Sequence, residues 1–298
     1  MEQNYIKYLD PQFLATISNL ELVARSVVEG FITGLHKSPF HGFSVEFSQH
    51  RPYMPGDALR FVDWKVYART DRFYIKQFEE ETNLRCYILV DISASMGYKS
   101  GRVSKWMYAS YLTAALAYLL LHQRDATGLV LFDEAIRLQM PPRSMESYLR
   151  EMLTHIEQAS LGKDTSVGKV LHQIADQFRR KGLIILISDF LDDPDEILKG
   201  LKHFRHDRHD VLAFHILDRQ EAEFDFSGNV MFRDLESGEK LKTQPFFVRE
   251  QYRQRFGAFL RYYQTETSKN NIDYQQIFTD EPLNIALTKF LSKRKRLF

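Results

Sequence analysis

The sequence predicts an α/β fold, in which a doubly wound, mostly parallel sheet with one antiparallel edge strand follows an N-terminal helix and a β arm. Two observations lead to this prediction. From residue 84 onward, short apolar runs typical of buried strands alternate with longer helical patterns. The strands predicted at 127–132 and 135–138 are joined only by Asp133 and Glu134. So short a connection forces a hairpin, and the second of these strands is therefore antiparallel.

Residues 1–80 are predicted to form the N-terminal helix and β arm. Asp10-Pro11 is typical of a helix start, and apolar residues recur at three- and four-residue steps as far as residue 37. Alternating polarity at 43–48 and an apolar, aromatic run at 73–78 predict strands, with a turn at Pro55-Gly56-Asp57. This arm contains no recognisable catalytic pattern.

Residues 81–298 are predicted to form the domain that contains the sheet. Its strands are predicted at residues 84–90, 127–132, 135–138, 183–188, 211–217 and 272–278. Its helices are predicted at residues 102–122, 145–158, 167–180, 194–204, 246–268 and 283–293. Two clusters of turn residues predict an inserted β-hairpin near 224–243.

Composition and charge narrow the class of protein. The 298 residues are 44% hydrophobic, which is enough for a full core, and the formal net charge of +1 gives no support for binding nucleic acid or a membrane surface. The single cysteine, Cys86, cannot form an intramolecular disulfide, which favours a reducing compartment. The N-terminus lacks a signal pattern, and the longest apolar segment, 107–121, is shorter than the roughly 20 residues of a membrane helix. We therefore expect a cytoplasmic protein without stable membrane insertion.

Oxygen-bearing side chains follow two predicted strands. Asp91, Ser93 and Ser95 alternate after the first strand, and Asp189 follows the strand at 183–188. In a doubly wound sheet these two strands are neighbours at the point where strand order reverses, so we expect Asp91 and Asp189 to face each other there. Thr165 begins a helix on the same side and offers a third hydroxyl. Hard oxygen ligands of this kind suit Mg²⁺ or Mn²⁺. One coordination position would stay open for an Asp or Glu of a protein partner.

Three alternatives to this metal-dependent binding site stay open. The Asp-Ser-Ser loop is also compatible with a helix-capping loop. A metal-dependent hydrolase could use Asp91 and Asp189 with a metal-bound water, and a structural scaffold could carry a degenerate, empty site.

Other chemistries fit the sequence less well. A Walker A loop at 162–170 would be one residue too long and has Val170 where Ser or Thr binds Mg²⁺. The nucleophile elbow of a serine hydrolase fails because Ser93, not glycine, precedes Ser95 by two residues. Three histidines invite a zinc interpretation, but they cross from a helix end into a loop without a cysteine nearby, which favours a polar connection. They are His203, His206 and His209.

The site residues resemble a known motif. Asp91-Ile-Ser93-Ala-Ser95, with Thr165 and Asp189, is similar to the metal-ion-dependent adhesion site of von Willebrand factor A domains. This resemblance implies a von Willebrand A-like, Rossmann-like fold. It also implies that the serines and the threonine contact the metal directly, while the aspartates often act through water.

Further stretches resemble the bacterial family called domain of unknown function fifty-eight. They are Arg51-Pro-Tyr53-Met-Pro55-Gly56-Asp57, Arg60-Phe-Val-Asp63-Trp64, Ala68-Arg69 and Phe232-Arg233-Asp234. Members of this family are commonly associated with MoxR-type AAA+ ATPases, which are thought to remodel or mature other proteins. The resemblance therefore implies a non-enzymatic adaptor for such an ATPase, and it assigns no catalytic duty to these stretches.

Overall fold

The computed structural model describes residues 9–36, 50–52, 67, 73–76, 84–162, 166–233, 235 and 238–295. Four sequence predictions fall outside this part of the chain: the strand at 43–48, the turn at Pro55-Gly56-Asp57, the position of Thr165 and most of the family signature between Arg51 and Arg69.

The described residues form ten strands and nine α-helices. The strands are β1 (His50–Pro52), β2 (Tyr74–Lys76), β3 (Arg85–Asp91), β4 (Ala126–Phe132), β5 (Ile136–Arg143), β6 (Leu183–Ser188), β7 (Asp210–Leu217), β8 (Val230–Arg233), β9 (Lys240–Thr243) and β10 (Asp273–Phe278). The helices are α1 (Pro11–Leu14), α2 (Leu20–His36), α3 (Lys105–His122), α4 (Ser147–Gln158), α5 (Val167–Gln177), α6 (Pro194–His206), α7 (Arg219–Glu223), α8 (Pro245–Lys269) and α9 (Asn284–Lys295). A short 3₁₀ helix spans Ala94–Gly97.

Six strands form the central sheet, in the order β10-β7-β6-β3-β4-β5. All neighbours are parallel except β4 and β5, which pair antiparallel across the short connection Asp133-Glu134-Ala135. The predicted fold class and its antiparallel edge strand are therefore confirmed. The edge strand is longer than predicted, since it continues through Pro141 and Pro142 to Arg143. An edge position tolerates these prolines because one side of the strand needs no ladder hydrogen bonds.

Helices cover both faces of this sheet, as apolar strands in a parallel sheet require. One hydrophobic cluster joins α3 to α2, α4 and α9, and the other joins α5 and α6 to the sheet and to Tyr263 of α8. All six residues of β6 are buried, and the thiol of Cys86 is buried in β3. These two layers hold the carboxyl ends of β3 and β6 in fixed positions, and the candidate site lies there.

The single helix predicted at 10–37 is wrong, because the chain forms α1 and α2 with a break between them. Asp10 caps α1, and its side chain accepts from the Gln12 N–H at 2.9 Å. The Asn19 side chain accepts from the Leu22 N–H at 3.0 Å, which starts a new helix instead of continuing the old one. Residues of both helices, including Leu14 and Val23, pack in the same cluster as α3. The division of the chain at residue 80 stays a prediction.

The insertion near 224–243 contains the expected hairpin, in which β8 and β9 pair antiparallel. It is preceded by α7, a five-residue helix that the sequence patterns do not predict. The Asp218 side chain caps α7 by accepting from the Gln220 N–H at 2.9 Å. This short helix supplies one of the charged groups of the site described next.

Candidate functional site

The site lies where the strand order of the sheet reverses. β3 pairs with β4 on one side and with β6 on the other, in parallel in both cases. Asp91 is the last residue of β3, and Asp189 directly follows β6. The predicted meeting of these two strand ends is therefore confirmed, and it places both carboxylates in the crevice where doubly wound sheets bind ligands.

Asp91 organises the loop that carries Ser93 and Ser95. Its Oδ1 accepts from the Ser93 N–H at 2.8 Å, and its Oδ2 accepts from the Ser188 hydroxyl at 2.6 Å. The hydroxyls of Ser93 and Ser95 lie 3.0 Å apart. All four side chains are buried, with Ser95 the most exposed at 8%. The loop thus brings two hydroxyl oxygens together beside a carboxylate that is fixed by two neighbours.

The carboxylate of Asp91 is held in an environment that disfavours its charge. Burial, followed by repulsion from Asp189, raises the pKa of Asp91 to about 7, while hydrogen bonds from Ser188 and Ser93 oppose the rise. Protonation of one carboxyl group, or a cation beside the two, would relieve the repulsion between Asp91 and Asp189.

Lys105 supplies part of this charge, and the sequence patterns did not predict it as a site residue. Its ammonium donates to Asp189 Oδ2 at 2.7 Å and to Glu221 Oε2 at 3.1 Å. The Lys105 and Asp189 side chains are fully buried. Burial lowers the pKa of Lys105, but the charges of Asp189 and Glu221 outweigh burial and raise it above its ordinary value.

A local signal for Lys105 does exist in the sequence. It directly follows Ser104, whose hydroxyl caps α3 by accepting from the Met107 N–H at 3.1 Å. Lys105 is thus a single charged side chain at the start of a helix that is otherwise apolar and buried. A charged residue in such a helix needs a partner of opposite charge.

Two acidic residues beyond β7 complete the charged cluster. Burial raises the pKa of Glu221, against the lowering effect of Lys105. Asp218 Oδ2 accepts from the backbone N–H of Ser100 at 2.9 Å and from its hydroxyl at 2.8 Å. Asp218 therefore ties the loop after Ser95 to the start of α7.

The residues present fit a divalent cation at this place. The carboxylates of Asp189 and Glu221 share the Lys105 ammonium, and the Asp91 carboxylate contacts no positive side chain within the described part of the chain. The excess negative charge and the paired hydroxyls of Ser93 and Ser95 match the oxygen donors that Mg²⁺ and Mn²⁺ prefer. Thr165, the fifth predicted ligand, lies outside the described residues.

The histidines considered for zinc do not converge. The Nδ1 of His203 lies 3.2 Å from the Nδ1 of His172, and exposed His206 lies beside Asp207. Buried His209 contacts the Phe178 carbonyl at 2.9 Å. Among the described residues, no group of three His, Cys, Asp or Glu side chains is placed to hold a metal, so a cation beside Asp91 would depend on the hydroxyls of Ser93 and Ser95. The expectation that these histidines serve as a polar connection agrees with these contacts.

The fold and the strand-end loop define a von Willebrand A-like α/β protein. The chain belongs to the family described as "Protein of unknown function DUF58", which matches residues 49–265. The uncharacterized protein Rv1480 of Mycobacterium tuberculosis (strain ATCC 25618 / H37Rv) is 30% identical over 232 residues, or 77% of this chain and 73% of that protein.

A solved structure, that of BatB, agrees with this fold. The conserved hypothetical protein BatB from Bacteroides thetaiotaomicron is 19% identical, with a TM-score of 0.50 over 72% of this chain and 99% of that one. The SpRpn10 VWA domain is 12% identical, with a TM-score of 0.41 over 69% of this chain and 93% of that one. At such identities the likeness concerns the fold alone.

The predicted cytoplasmic location is contradicted by these comparisons. An aerotolerance-related membrane protein from Bacteroides fragilis NCTC 9343 is among the solved neighbours, at 18% identity and a TM-score of 0.49 over 72% of this chain and 99% of that one. An uncharacterized membrane-spanning protein from Vibrio fischeri is another. The expectation failed because it relied on a missing signal pattern and a lone cysteine, neither of which reports where a domain of this fold is held. No helix among the described residues has both the length and the apolar composition that crossing a bilayer requires.

Proposed function

We propose that this chain is a non-enzymatic, divalent-metal-dependent protein-binding module. The observation that carries the proposal is the pair of Ser93 and Ser95 hydroxyls, 3.0 Å apart at the strand switch point beside Asp91. Ser93, Ser95 and Thr165 would bind Mg²⁺ or Mn²⁺ directly, and Asp91 and Asp189 would contribute charge through water. The bound metal would offer a coordination position to a carboxylate of a protein partner.

The hydrogen bonds of the two aspartates support a binding role over catalysis. Both oxygens of Asp91 accept hydrogen bonds, and Asp189 accepts from the Lys105 ammonium and, at 3.3 Å, from the Leu191 N–H. A general base needs a lone pair within reach of the attacking water. A hydrolase that uses Asp91 and Asp189 is therefore the weaker candidate. Fixed carboxylates are better suited to hold a cation in place.

A finer part of the proposal concerns the partner. Its support is the resemblance of the chain to a family whose members are commonly associated with MoxR-type AAA+ ATPases. We propose that this module is an adaptor that binds such an ATPase, or its protein substrate, through an Asp or Glu that completes the metal coordination.

Calorimetric titration tests the metal. Mg²⁺ and Mn²⁺ are titrated into wild-type protein, Ser93→Ala and a control variant, Ser110→Ala. The control removes a buried hydroxyl of α3 that donates to the Trp106 carbonyl, away from the site. Wild type and Ser110→Ala should bind, and Ser93→Ala should lose most of the heat. Equal binding by all three proteins, or binding by none, would refute the metal site.

A pull-down tests the adaptor role. A purified MoxR-type ATPase from the same genome is incubated with immobilised wild type, Ser93→Ala or Ser110→Ala. The ATPase itself needs Mg²⁺ for nucleotide binding, so Mg²⁺ is kept constant and only the variant changes. Retention by wild type and Ser110→Ala, with loss in Ser93→Ala, supports the adaptor. Equal retention by all three would show that contact with the ATPase does not use the metal.

A further inference from the structure

A groove opens directly beside the candidate metal site. Its volume is about 620 Å³. It is bounded by α7, the β8–β9 hairpin and the first turns of α8, and its lining also includes Ser95 and Tyr98. The groove is therefore continuous with the hydroxyl cluster.

One wall of the groove is a packed set of aromatic rings. Phe224 adopts a left-handed backbone conformation (φ 51°) at the end of α7, which turns the chain back toward the hairpin. Its ring lies 4.3 Å from that of Tyr252 on α8 and 5.4 Å from that of Phe232 on β8. Phe226 meets Phe232 edge-on at 4.9 Å. These contacts join three separate elements into one apolar surface.

Two arginines of α8 hold this wall in place through hydrogen bonds to backbone carbonyls. Arg249 donates to the Phe226 carbonyl at 2.7 Å, and Arg253 donates to the Glu223 carbonyl at 2.5 Å. Because the loop carbonyls are fixed to the helix, the groove is largely formed before any ligand arrives. A preformed site loses less conformational entropy on binding.

Two other arginines line the groove and face it without an opposing charge. Arg233 at the end of β8 and Arg255 of α8 are exposed lining residues, and neither forms an ion pair with any carboxylate in the described part of the chain. Glu221 also lines the groove, but its carboxylate is bound to Lys105. The available charge of the groove is therefore positive, on an apolar background.

We propose that this groove binds an acidic, apolar segment of a protein partner, in which aliphatic or aromatic side chains pack on the Phe224–Phe232–Tyr252 wall and carboxylates pair with Arg233 and Arg255. Two observations favour this occupant: the arginines of the groove complement acidic side chains, and the groove extends to Ser95 of the candidate metal site. The inference rests on the proposed function in one respect, since the same segment would supply the carboxylate that reaches the metal. Guanidinium groups form paired hydrogen bonds with carboxylates, so the arginines also set the orientation of the segment.

Fluorescence anisotropy with two labelled hexapeptides tests this proposal. The probes are Leu-Asp-Phe-Asp-Leu-Glu and its basic counterpart Leu-Lys-Phe-Lys-Leu-Lys, each titrated with full-length protein. The acidic peptide should bind about tenfold more tightly than the basic one, since two exposed charge pairs are together worth about one factor of ten. Equal affinity for both peptides, or no binding of either, would overturn the proposal.

Variants identify the residues responsible. Arg233→Glu with Arg255→Glu should weaken the acidic peptide about tenfold, and the charge-keeping pair Arg233→Lys with Arg255→Lys should recover most of the affinity. Arg261→Glu changes an exposed arginine of the same helix that does not line the groove, and it should leave affinity unchanged. An acidic peptide that binds all variants equally would overturn the assignment.

Two controls separate this proposal from others. In the first control, the peptide titrations are repeated in EDTA. If peptide binding persists in EDTA and still depends on the two arginines, while calorimetry shows no metal binding, the metal function is refuted and the groove is supported. If the protein binds metal but its peptide binding does not depend on the arginines, the groove proposal alone is refuted.

A second control tests other occupants of the groove. Light scattering detects a dimer of the protein, and flotation with phosphatidylglycerol-containing vesicles detects binding to a lipid surface. Arginine-dependent dimerisation or vesicle binding without peptide binding would overturn the peptide in favour of a second copy or a lipid surface.

Discussion

The Lys105 ammonium lies 2.7 Å from Asp189 Oδ2, and both side chains are fully buried. The two residues come from the start of α3 and the end of β6, so their contact links the first helix of the sheet domain to the strand across the switch point. The Lys105 ammonium therefore already neutralises the charge of Asp189, which is one of the predicted metal ligands. This arrangement makes Lys105 the residue that sets how much negative charge is left for a metal.

Replacement of Lys105 by methionine should destabilise the protein strongly. It leaves the Asp189 and Glu221 carboxylates buried without their common partner, and loss of one partner of a buried pair costs about 3–5 kcal/mol. Urea unfolding in EDTA measures this free energy. In Mg²⁺ the loss should be smaller, because the divalent cation replaces part of the missing charge. The exposed pair Lys199–Glu196 gives a matched control, and Lys199→Met should change the free energy of unfolding very little in either condition. An identical loss for Lys105→Met in EDTA and in Mg²⁺ would show that the ammonium and the metal do not share the site.

Replacement of Asp91 by asparagine distinguishes a metal site from a capping loop. The raised pKa of Asp91 means that its contribution to stability is present at low pH and is lost as pH rises toward 7. At pH 8 in EDTA, Asp91→Asn should therefore be at least as stable as wild type, since the amide oxygen can still accept from the Ser93 N–H. Addition of Mg²⁺ should raise the unfolding temperature of wild type only. A capping loop, which asparagine would preserve, predicts instead that Mg²⁺ changes the unfolding temperature of neither protein.

Sequence patterns predict those parts of the structure that are determined by residues close together in the chain. The apolar run of β6 and the three-residue connection before β5 each determine an element locally. The meeting of Asp91 and Asp189 follows from strand order, which is a general property of doubly wound sheets.

The features that sequence patterns miss depend on distant contacts or on single side chains. Lys105 and Asp189 are 84 positions apart, and no periodicity connects them. α7 has five residues, too few to show an amphipathic repeat. The break between α1 and α2 is determined by the Asn19 cap, which competes with an otherwise continuous apolar pattern.

His215 should make stability depend on pH. Its ring is buried against the hydrophobic cluster that joins α5 and α6 to the sheet, 4.8 Å from the ring of Phe190. Its Nδ1 contacts the Tyr274 hydroxyl. Burial lowers the pKa of His215 to about 3. The folded state therefore disfavours the protonated ring, so stability is present above pH 6.5 and is lost as pH falls from there toward 3, by up to about 1.4 kcal/mol per unit.

Urea unfolding at pH 5 and pH 7 checks the contribution of His215. The difference between the two pH values should shrink in His215→Phe, which keeps an aromatic ring in the cluster. Tyr274→Phe removes the hydroxyl partner but keeps the histidine, and it should retain the pH dependence. If His215→Phe and wild type respond equally to pH, the imidazole is not the group that titrates.

Two glycine-to-alanine substitutions in helices should have opposite effects. A Cβ at Gly200 of α6 would lie 2.6 Å from the Leu171 Cβ and 3.2 Å from the Gly168 carbonyl of α5, so Gly200→Ala must push the two helices apart and should cost about 1–3 kcal/mol. A Cβ at Gly257 of α8 meets only the flexible guanidinium of Arg261, at 3.2 Å. Gly257→Ala should therefore stabilise the protein by about 0.5–1 kcal/mol, because it restricts the unfolded chain.

Chemical denaturation of the two glycine variants gives the sign of each effect, and titration with Mg²⁺ adds a functional measurement. α5 begins two residues after Thr165, so a displaced α5 in Gly200→Ala should also weaken metal binding, whereas Gly257→Ala should leave it unchanged. A Gly200→Ala variant that is destabilised but binds Mg²⁺ as wild type does would separate the packing of α5 from the site and argue against Thr165 as a ligand.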